Sequence, residues 1–358
     1  MTNRVKAFFE LLFGSIAFWI CAFLLFNTIR YSGLSVELGN YTDEYIRIPI
    51  RAFYAYSFIL GLIIGLFYAI IEYCFDLYVS KKLVLGVSIL FKSLVYFILI
   101  IIILSLLSIS IEKQVGIDLP NERGWWRNDP FFWNTVLYFI TASIVFSFIR
   151  IANDKFGRGV FLNMLLGKYK KPKEEERILM FVDLKDSTKI AEHLGHETYS
   201  RFIQECFKDL NNVLRKHDAE VYQYVGDEAV INWTNKKGFK NNNCINLFFA
   251  FQKILLNRSN YYLNEYGYAP EFKAGIHSGK IMVAEVGTVK KELAFHGDVI
   301  NSASRIQSLC NDYNASLLIS ETVLVHLNID LFNYEEIKEG FILKGKQEKL
   351  KVFRIIAK

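Results

Sequence analysis

The stretch Ile178 to Thr188, ILMFVDLKDST, decides how this chain is read. Its opening apolar run, Ile178 to Val182, reads as a buried strand, and Asp183 closes that strand with a carboxylate. A charge at such a place is costly unless it meets solvent, a cation or a partner. Taken alone, the same pattern also fits a strand-end Asp that caps a helix starting near Ser187 and Thr188.

From Ile178 onward, strand alternation and helical periodicity interleave, which is the pattern of one α/β domain of ordinary size. The expected elements are a strand at 177–184, helices at 188–195 and 197–216, and two strands joined by a tight turn in AEVYQYVGDEAVINW. A helix at 243–264, a strand pair within 271–286, a helix at 299–310, a strand at 315–320 and closing strands at 340–345 and 350–356 complete the order.

The hairpin supplies a second carboxylate. Gly226-Asp227 falls where two strands turn, and by itself this is an ordinary β-turn. With Asp183 it says more, because adjacent strands can bring both carboxylates to one spot. Two anions so placed repel and raise each other's pKa unless a divalent cation lies between them. Oxygen ligands of this kind suit Mg²⁺ or Mn²⁺, which share their remaining positions with water and substrate phosphates. The chemistry indicated is phosphoryl or nucleotidyl transfer. Further on, HGDVINSASR sets Asn301 and Arg305 four apart, on one face of a helix. An amide to orient a sugar and a guanidinium to neutralise charge on phosphorus are parts that such a reaction needs. Near the C-terminus LKGK offers Lys344 and Lys346 as point charges for a triphosphate.

The first half has another character. The 358 residues are 52% apolar and 16% aromatic, high for a chain that meets only water. Four segments, Ala7–Asn27, Ala52–Ile71, Val84–Ile111 and Phe131–Ile149, reach the length of a membrane-spanning helix and are apolar all round. Lys92, inside the third, lies near enough to its end to snorkel. Gly61 and Gly65 form a small-xxx-small pair that would let two helices approach closely. Lysine and arginine favour both termini on the cytoplasmic side of a cell membrane, although the two outer loops also carry arginines. The expected domains are therefore a four-helix membrane region at 1–152, a charged and amphipathic linker at 153–177 and a catalytic domain at 178–358. In the linker, the basic half of KYKKPKEEER suits either an anionic leaflet or solvent. A net charge of +6 without a clustered stripe gives no case for nucleic acid as a partner. Five scattered cysteines without a CxxC pair indicate neither a disulfide framework nor a zinc site.

Read in order, FVDLKDST, YVGDE, VINSASR and LKGK resemble the class III nucleotidyl cyclase catalytic domain, the family of adenylate and guanylate cyclases. The resemblance covers about 178–356 and implies a ferredoxin-like α/β fold that works as a head-to-tail homodimer. It implies two metal ions, Mg²⁺ or Mn²⁺, held by Asp183, Asp227 and the Leu184 carbonyl, with Ser187 and Thr188 beside the nucleotide. It further implies Asn301 on the ribose, Arg305 on the transition state, and Lys344, with Lys346, on the phosphates. The expected substrate is a nucleoside triphosphate, with ATP favoured over GTP and the pyrimidines, and the expected setting is a lipid membrane. Three positions depart from the family pattern. Asp186 stands where Gly is common, Gln223 where adenylate cyclases carry a base-reading Lys, and Ala294 where its Asp partner is usual. Gln can both donate and accept toward a base edge, whereas Ala reads nothing.

Overall fold

The computed structural model describes residues 3–38, 50–78, 85–115, 127, 130–156, 160–342 and 349–357. The chain forms two compact units, Met1–Lys155 and Phe156–Lys358.

The first unit contains α1 (Asn3–Leu38), α2 (Ile50–Tyr78), α3 (Leu85–Val115) and α4 (Pro130–Phe156). Among the described residues three helices are long and apolar enough to cross a membrane, over Phe8–Ile29, Tyr54–Tyr78 and Phe132–Asn153. The other expected span, Val84–Ile111, falls in α3, whose described apolar run is Gly86–Ile102. Gly61 and Gly65 let α2 lie against α1: a Cβ on them would come within 2.5 Å of the Ile20 Cα and 2.6 Å of the Ile16 Cα. The interior is aromatic, with Trp19 4.2 Å from Tyr68 and Tyr68 stacked on Tyr96 at 3.7 Å between ring centres.

Beneath that stack lies a charge network that linear hydropathy did not reveal. Glu72 of α2 is 1% exposed. It accepts from Tyr96 and Lys92 of α3 and pairs with Arg150 of α4, the Lys92 Nζ standing 2.7 Å away. Arg150 also reaches Asp76. Lys92, expected to snorkel, is thus engaged with carboxylates of α2.

The second unit contains a short α5 (Val160–Leu165), then β1 (Lys173–Leu184), α6 (Ser187–Leu214), β2 (Glu220–Val225) and β3 (Glu228–Thr234). Next come α7 (Asn235–Phe239), α8 (Asn243–Asn257), α9 (Ser259–Tyr266), β4 (Phe272–Val286), β5 (Glu292–His296) and α10 (Asp298–Asp312). The chain closes with β6 (Leu317–Ser320), α11 (Glu321–Leu324), β7 (Phe332–Ile342) and β8 (Lys349–Ala357). The sheet order is β2-β3-β1-β4-β6-β8-β7, with β5 on the far part of β4. The first four strands, ordered β4-β1-β3-β2 with α6 and α8 as crossovers, make the expected ferredoxin-like core.

Two layers of helix explain why β1 reads as an unbroken apolar run. Ile178, Met180, Val182 and Leu184 pack on one face with Phe202 and Leu210 of α6 and Phe248 and Phe251 of α8. Leu179 and Phe181 pack on the other with Ile281 and Val283 of β4 and with Val299 and Ala303 of α10. Each large side chain so buried contributes about 1.5–3 kcal/mol. The parity puts Asp183 on the α10 face.

Four expectations need correction. The stretch 271–286 is one strand, not a pair, because β4 pairs with β1 without interruption from Phe272 to Val283. The single helix expected over 243–264 is broken at Arg258, and the first closing strand begins earlier, at Phe332. Strand β1 itself starts at Lys173, inside the stretch read as linker.

Candidate active site

Strand register builds the site. Asp183 pairs with Glu228 of β3 on one side and with Lys273 of β4 on the other. Residues directly opposite on antiparallel strands share a face, so Glu228, Asp183 and Lys273 form a row across three strands. The Lys273 Nζ stands 3.2 Å from Asp183 Oδ2, and the Gln307 amide donates to the same oxygen at 2.9 Å. Gln307 comes so near because Gly275 has no side chain: a Cβ there would lie 2.2 Å from the Gln307 backbone nitrogen. Helix α10 is thereby seated directly on β4.

Asp227 occupies the turn between β2 and β3, after Gly226 at φ 61°. No atom lies within 4 Å of a Cβ built on Gly226, so the glycine serves the left-handed backbone and not a tight contact. The carboxylates sense one another. Burial raises the Asp183 carboxyl above its ordinary range, Lys273 and Gln307 oppose the rise, and Asp227 adds to it. Glu228 is pushed up to about 7, by burial first and then by Asp183 and Asp227. Tyr199 of α6 is pushed up to about 12, by burial and then by Asp227, so its hydroxyl stays protonated beside the acids.

The segment after β1 turns sharply. Asp186 adopts a left-handed conformation, φ 56°, and its side chain makes no capping hydrogen bond to α6. It pairs instead with Lys189 at 3.5 Å. The left-handed backbone gives a physical reason why glycine is common at this place, and Asp is among the few other residues that tolerate it. A cleft of about 1200 Å³ runs past Asp183, Leu184, Asp186, Ser187, Thr188 and Lys273.

Asn301 is exposed on α10 and Arg305 half-buried one turn later, on the helix whose Gln307 reaches Asp183. Gln223 is exposed on β2 next to a bulge at Tyr222. Tyr222 stacks on Phe295 of β5 at 4.2 Å and 8°, which brings β2 beside the strand that carries Ala294. Lys344 and Lys346 lie outside the described residues. Sequence reasoning missed Lys273, Glu228, Gln307 and Tyr199. Glu228 was legible in the YVGDE motif, whereas the others needed the register and the helix packing.

The residues present suit a hard divalent cation. Among the described residues no three His, Cys, Asp or Glu side chains close around one point, so a protein-only cage is absent there. Two carboxylates, with the Leu184 carbonyl at the strand end, match instead the partial coordination that leaves room for phosphate oxygens.

Comparison with known proteins bears on this geometry. The family described as adenylate and guanylate cyclase catalytic domain matches residues 169–357. Adenylate cyclase 2 of Rhizobium meliloti is 30% identical over 224 residues, 63% of this chain and 62% of that protein. The receptor-type guanylate cyclase gcy-10 of Caenorhabditis elegans is 23% identical over 56% of this chain and 19% of its own length. The chain thus spans less than two thirds of these relatives. In fold, it is similar to a bacterial light-regulated adenylyl cyclase, with a TM-score of 0.53 at 14% identity over 64% of this chain and 66% of that one. By the extent of the family match, this chain belongs to the class III adenylate and guanylate cyclases.

Proposed function

We propose that the protein is a membrane-bound adenylate cyclase, converting ATP to 3′,5′-cyclic AMP and pyrophosphate as a homodimer, with both termini in the cytoplasm. The observation that carries the reading is the acidic row of Asp183 and Glu228 with Asp227 at its edge, faced by Lys273. Its excess of negative charge asks for a cation, and the cleft beside it has room for a nucleotide.

Asp183, Asp227 and the Leu184 carbonyl would hold two Mg²⁺ or Mn²⁺ ions. When bound, such ions polarise phosphate oxygens and lower the pKa of a coordinated hydroxyl. Side chains do the rest, with the metal ligands coming from one protomer and Asn301 and Arg305 from its partner copy. Asn301 orients the ribose so that its 3′-oxygen lies in line with the α-phosphorus. Arg305 meets the charge that develops as the new P–O bond forms and the bridge to the β-phosphate breaks. Lys273, held beside Asp183, is a further cation for the departing pyrophosphate. Lys344 and Lys346 would serve its outer phosphates, and Ser187 and Thr188 the rim of the same cleft. The apolar helices fix the enzyme to lipid, and the Lys and Arg bias supports a catalytic unit on the inner side.

A guanylate or pyrimidine cyclase of the same family is favoured by one observation: the exposed Gln223 and the neutral Ala294 provide no charged pair to select adenine. The purified full chain with Mn²⁺ and each of the four nucleoside triphosphates, its products identified by mass spectrometry, decides between these readings. Cyclic AMP as the main product is expected. Turnover of no triphosphate would overturn both and leave a cyclase-like dimerisation module.

A further inference from the structure

We infer that Tyr169, in the charged segment ahead of β1, is a positioning residue for the site: it wedges that segment beneath β5 and α10. The inference deepens the cyclase reading for the elements that carry Ala294, Asn301 and Arg305.

The segment KYKKPKEEER has the composition of a solvated connector, yet Tyr169 within it is 3% exposed. Tyr169 belongs to one buried apolar cluster with Leu179 and Phe181 of β1, Ile281 and Val283 of β4, Phe295 of β5 and Val299 and Ala303 of α10. Its backbone oxygen accepts from Glu285 N at 3.0 Å, and Glu285 pairs with Leu293 of β5. Its hydroxyl accepts from Lys168 Nζ at 2.9 Å and donates to Glu175 Oε1 at 3.1 Å. Glu175 in turn holds Arg177, which is 8% exposed and donates to Asn232 of β3 at 2.8 Å. The Arg177 guanidinium lies 5.9 Å over the Phe295 ring, the ring that also stacks on Tyr222.

The geometry makes this wedge specific. Among the described strands β5 pairs with β4 alone, off the main path of the sheet, and Phe295 N also donates to the Tyr222 hydroxyl at 3.1 Å. Its position therefore depends on what surrounds Phe295, where Tyr222 stacks and Arg177 lies over the ring, and on the apolar cluster that Phe295 shares with Tyr169. On α10, Val299 and Ala303 face the wedge, while Asn301 and Arg305 lie two positions on, roughly on the opposite side of the helix. Displacing Tyr169 leaves β5 and the start of α10 without a floor but leaves the core against α6 and α8 intact. Because the chain enters this segment straight from α5, a shift imposed on the segment reaches β5 and α10 through the buried Tyr169 ring and its backbone bond to Glu285.

The test is hydrogen exchange and kinetics of the full chain in lipid, comparing wild type with Tyr169→Ala, Tyr169→Phe and Glu175→Gln. In Tyr169→Ala, amides of β5 and the first turns of α10 should exchange about tenfold faster while those of β6 and β8 keep their rates. Its kcat should fall about tenfold and its ATP-to-GTP ratio shift, with Tyr169→Phe restoring both. Glu175→Gln, which opens no cavity, should give the same changes at about threefold and covers the case in which the Ala variant does not fold. Exchange that is unchanged at β5, or accelerated equally in every strand, overturns the inference. A wild type idle on every triphosphate defeats the cyclase reading, and the exchange measurement still decides the role of Tyr169.

Discussion

In the helical unit Glu72 is met by Lys92 and Arg150, with Asp76 sharing Arg150. On the catalytic sheet Asp183 meets Lys273, while Asp227 and Glu228 press on it from nearby. The described pairs of the first network set two carboxylates against two cations. The described contacts of the second set three carboxylates against one. A balanced network buried in an apolar bundle joins helices, since each charge removed would strand its partner. An acid-rich network at the edge of a cleft is under electrostatic tension, which a divalent cation relieves. The contrast separates a structural use of buried charge from a chemical one, and the variants below probe it from each side.

The largest effect should come from Asp183. Asp183→Asn keeps the shape and the Gln307 contact but removes an anion the site needs, and turnover should fall on the order of 10³-fold or more. The fold should not suffer. Burial raises the Asp183 pKa, so its ionised form costs stability near neutral pH and a neutral isostere does not. A melting temperature equal to or above that of wild type, with activity lost, is the expected pair of results. Loss of both would put Asp183 in the same class as Glu72.

Arg150 should behave in the opposite manner. Arg150→Met leaves the buried Glu72 carboxylate short of a partner and should cost about 3–5 kcal/mol of stability in detergent or lipid. Adding Glu72→Gln should recover most of that, because the stranded charge is then gone. Thermal unfolding of the single and double variants measures the coupling, and an additive pair would break the comparison.

Glu228 gives a smaller, pH-dependent effect. Its pKa rises from the ordinary 4.5 to about 7 in the folded chain. The native state therefore binds its proton more tightly than the unfolded state, and the associated stability is full below 4.5 and lost as pH climbs through about 7. In EDTA the melting temperature of wild type relative to Glu228→Gln should fall across that window. Added Mn²⁺ should reverse the fall, since the cation binds best when the acids are ionised. A flat difference would show that the acidic row is relaxed without metal.

How much of this could be read in the chain varies with the range of the contact. Asp183 and Asp227 were legible because each closes or turns a local element, a strand end and a hairpin. Lys273 was not, since only the β1–β4 register brings it opposite Asp183. Gln307 required the close seat of α10 on Gly275. Glu72 lies just past the end of the expected span Ala52–Ile71, and its partners sit on two other helices, so hydropathy along the chain placed these charges apart. Tyr169 was hidden by its neighbours: a run of Lys and Glu reads as solvent-exposed, and one buried ring within it leaves no periodic trace.

The smallest effect separates backbone from charge at Asp186. Its φ of 56° suits glycine, and it lines the cleft while its described ion pair with Lys189 is exposed and worth little. Asp186→Gly removes both the steric cost and the anion, whereas Asp186→Ala removes the anion and keeps the cost. The Gly variant should be more stable than the Ala variant by about 1 kcal/mol. Both should show a lower KM for the triphosphate than wild type, because an anion at the rim of the cleft is gone in each. If KM falls only in the Gly variant, the left-handed turn and not the charge governs the mouth of the cleft, and Asp186 belongs to the architecture of the site instead of its electrostatics.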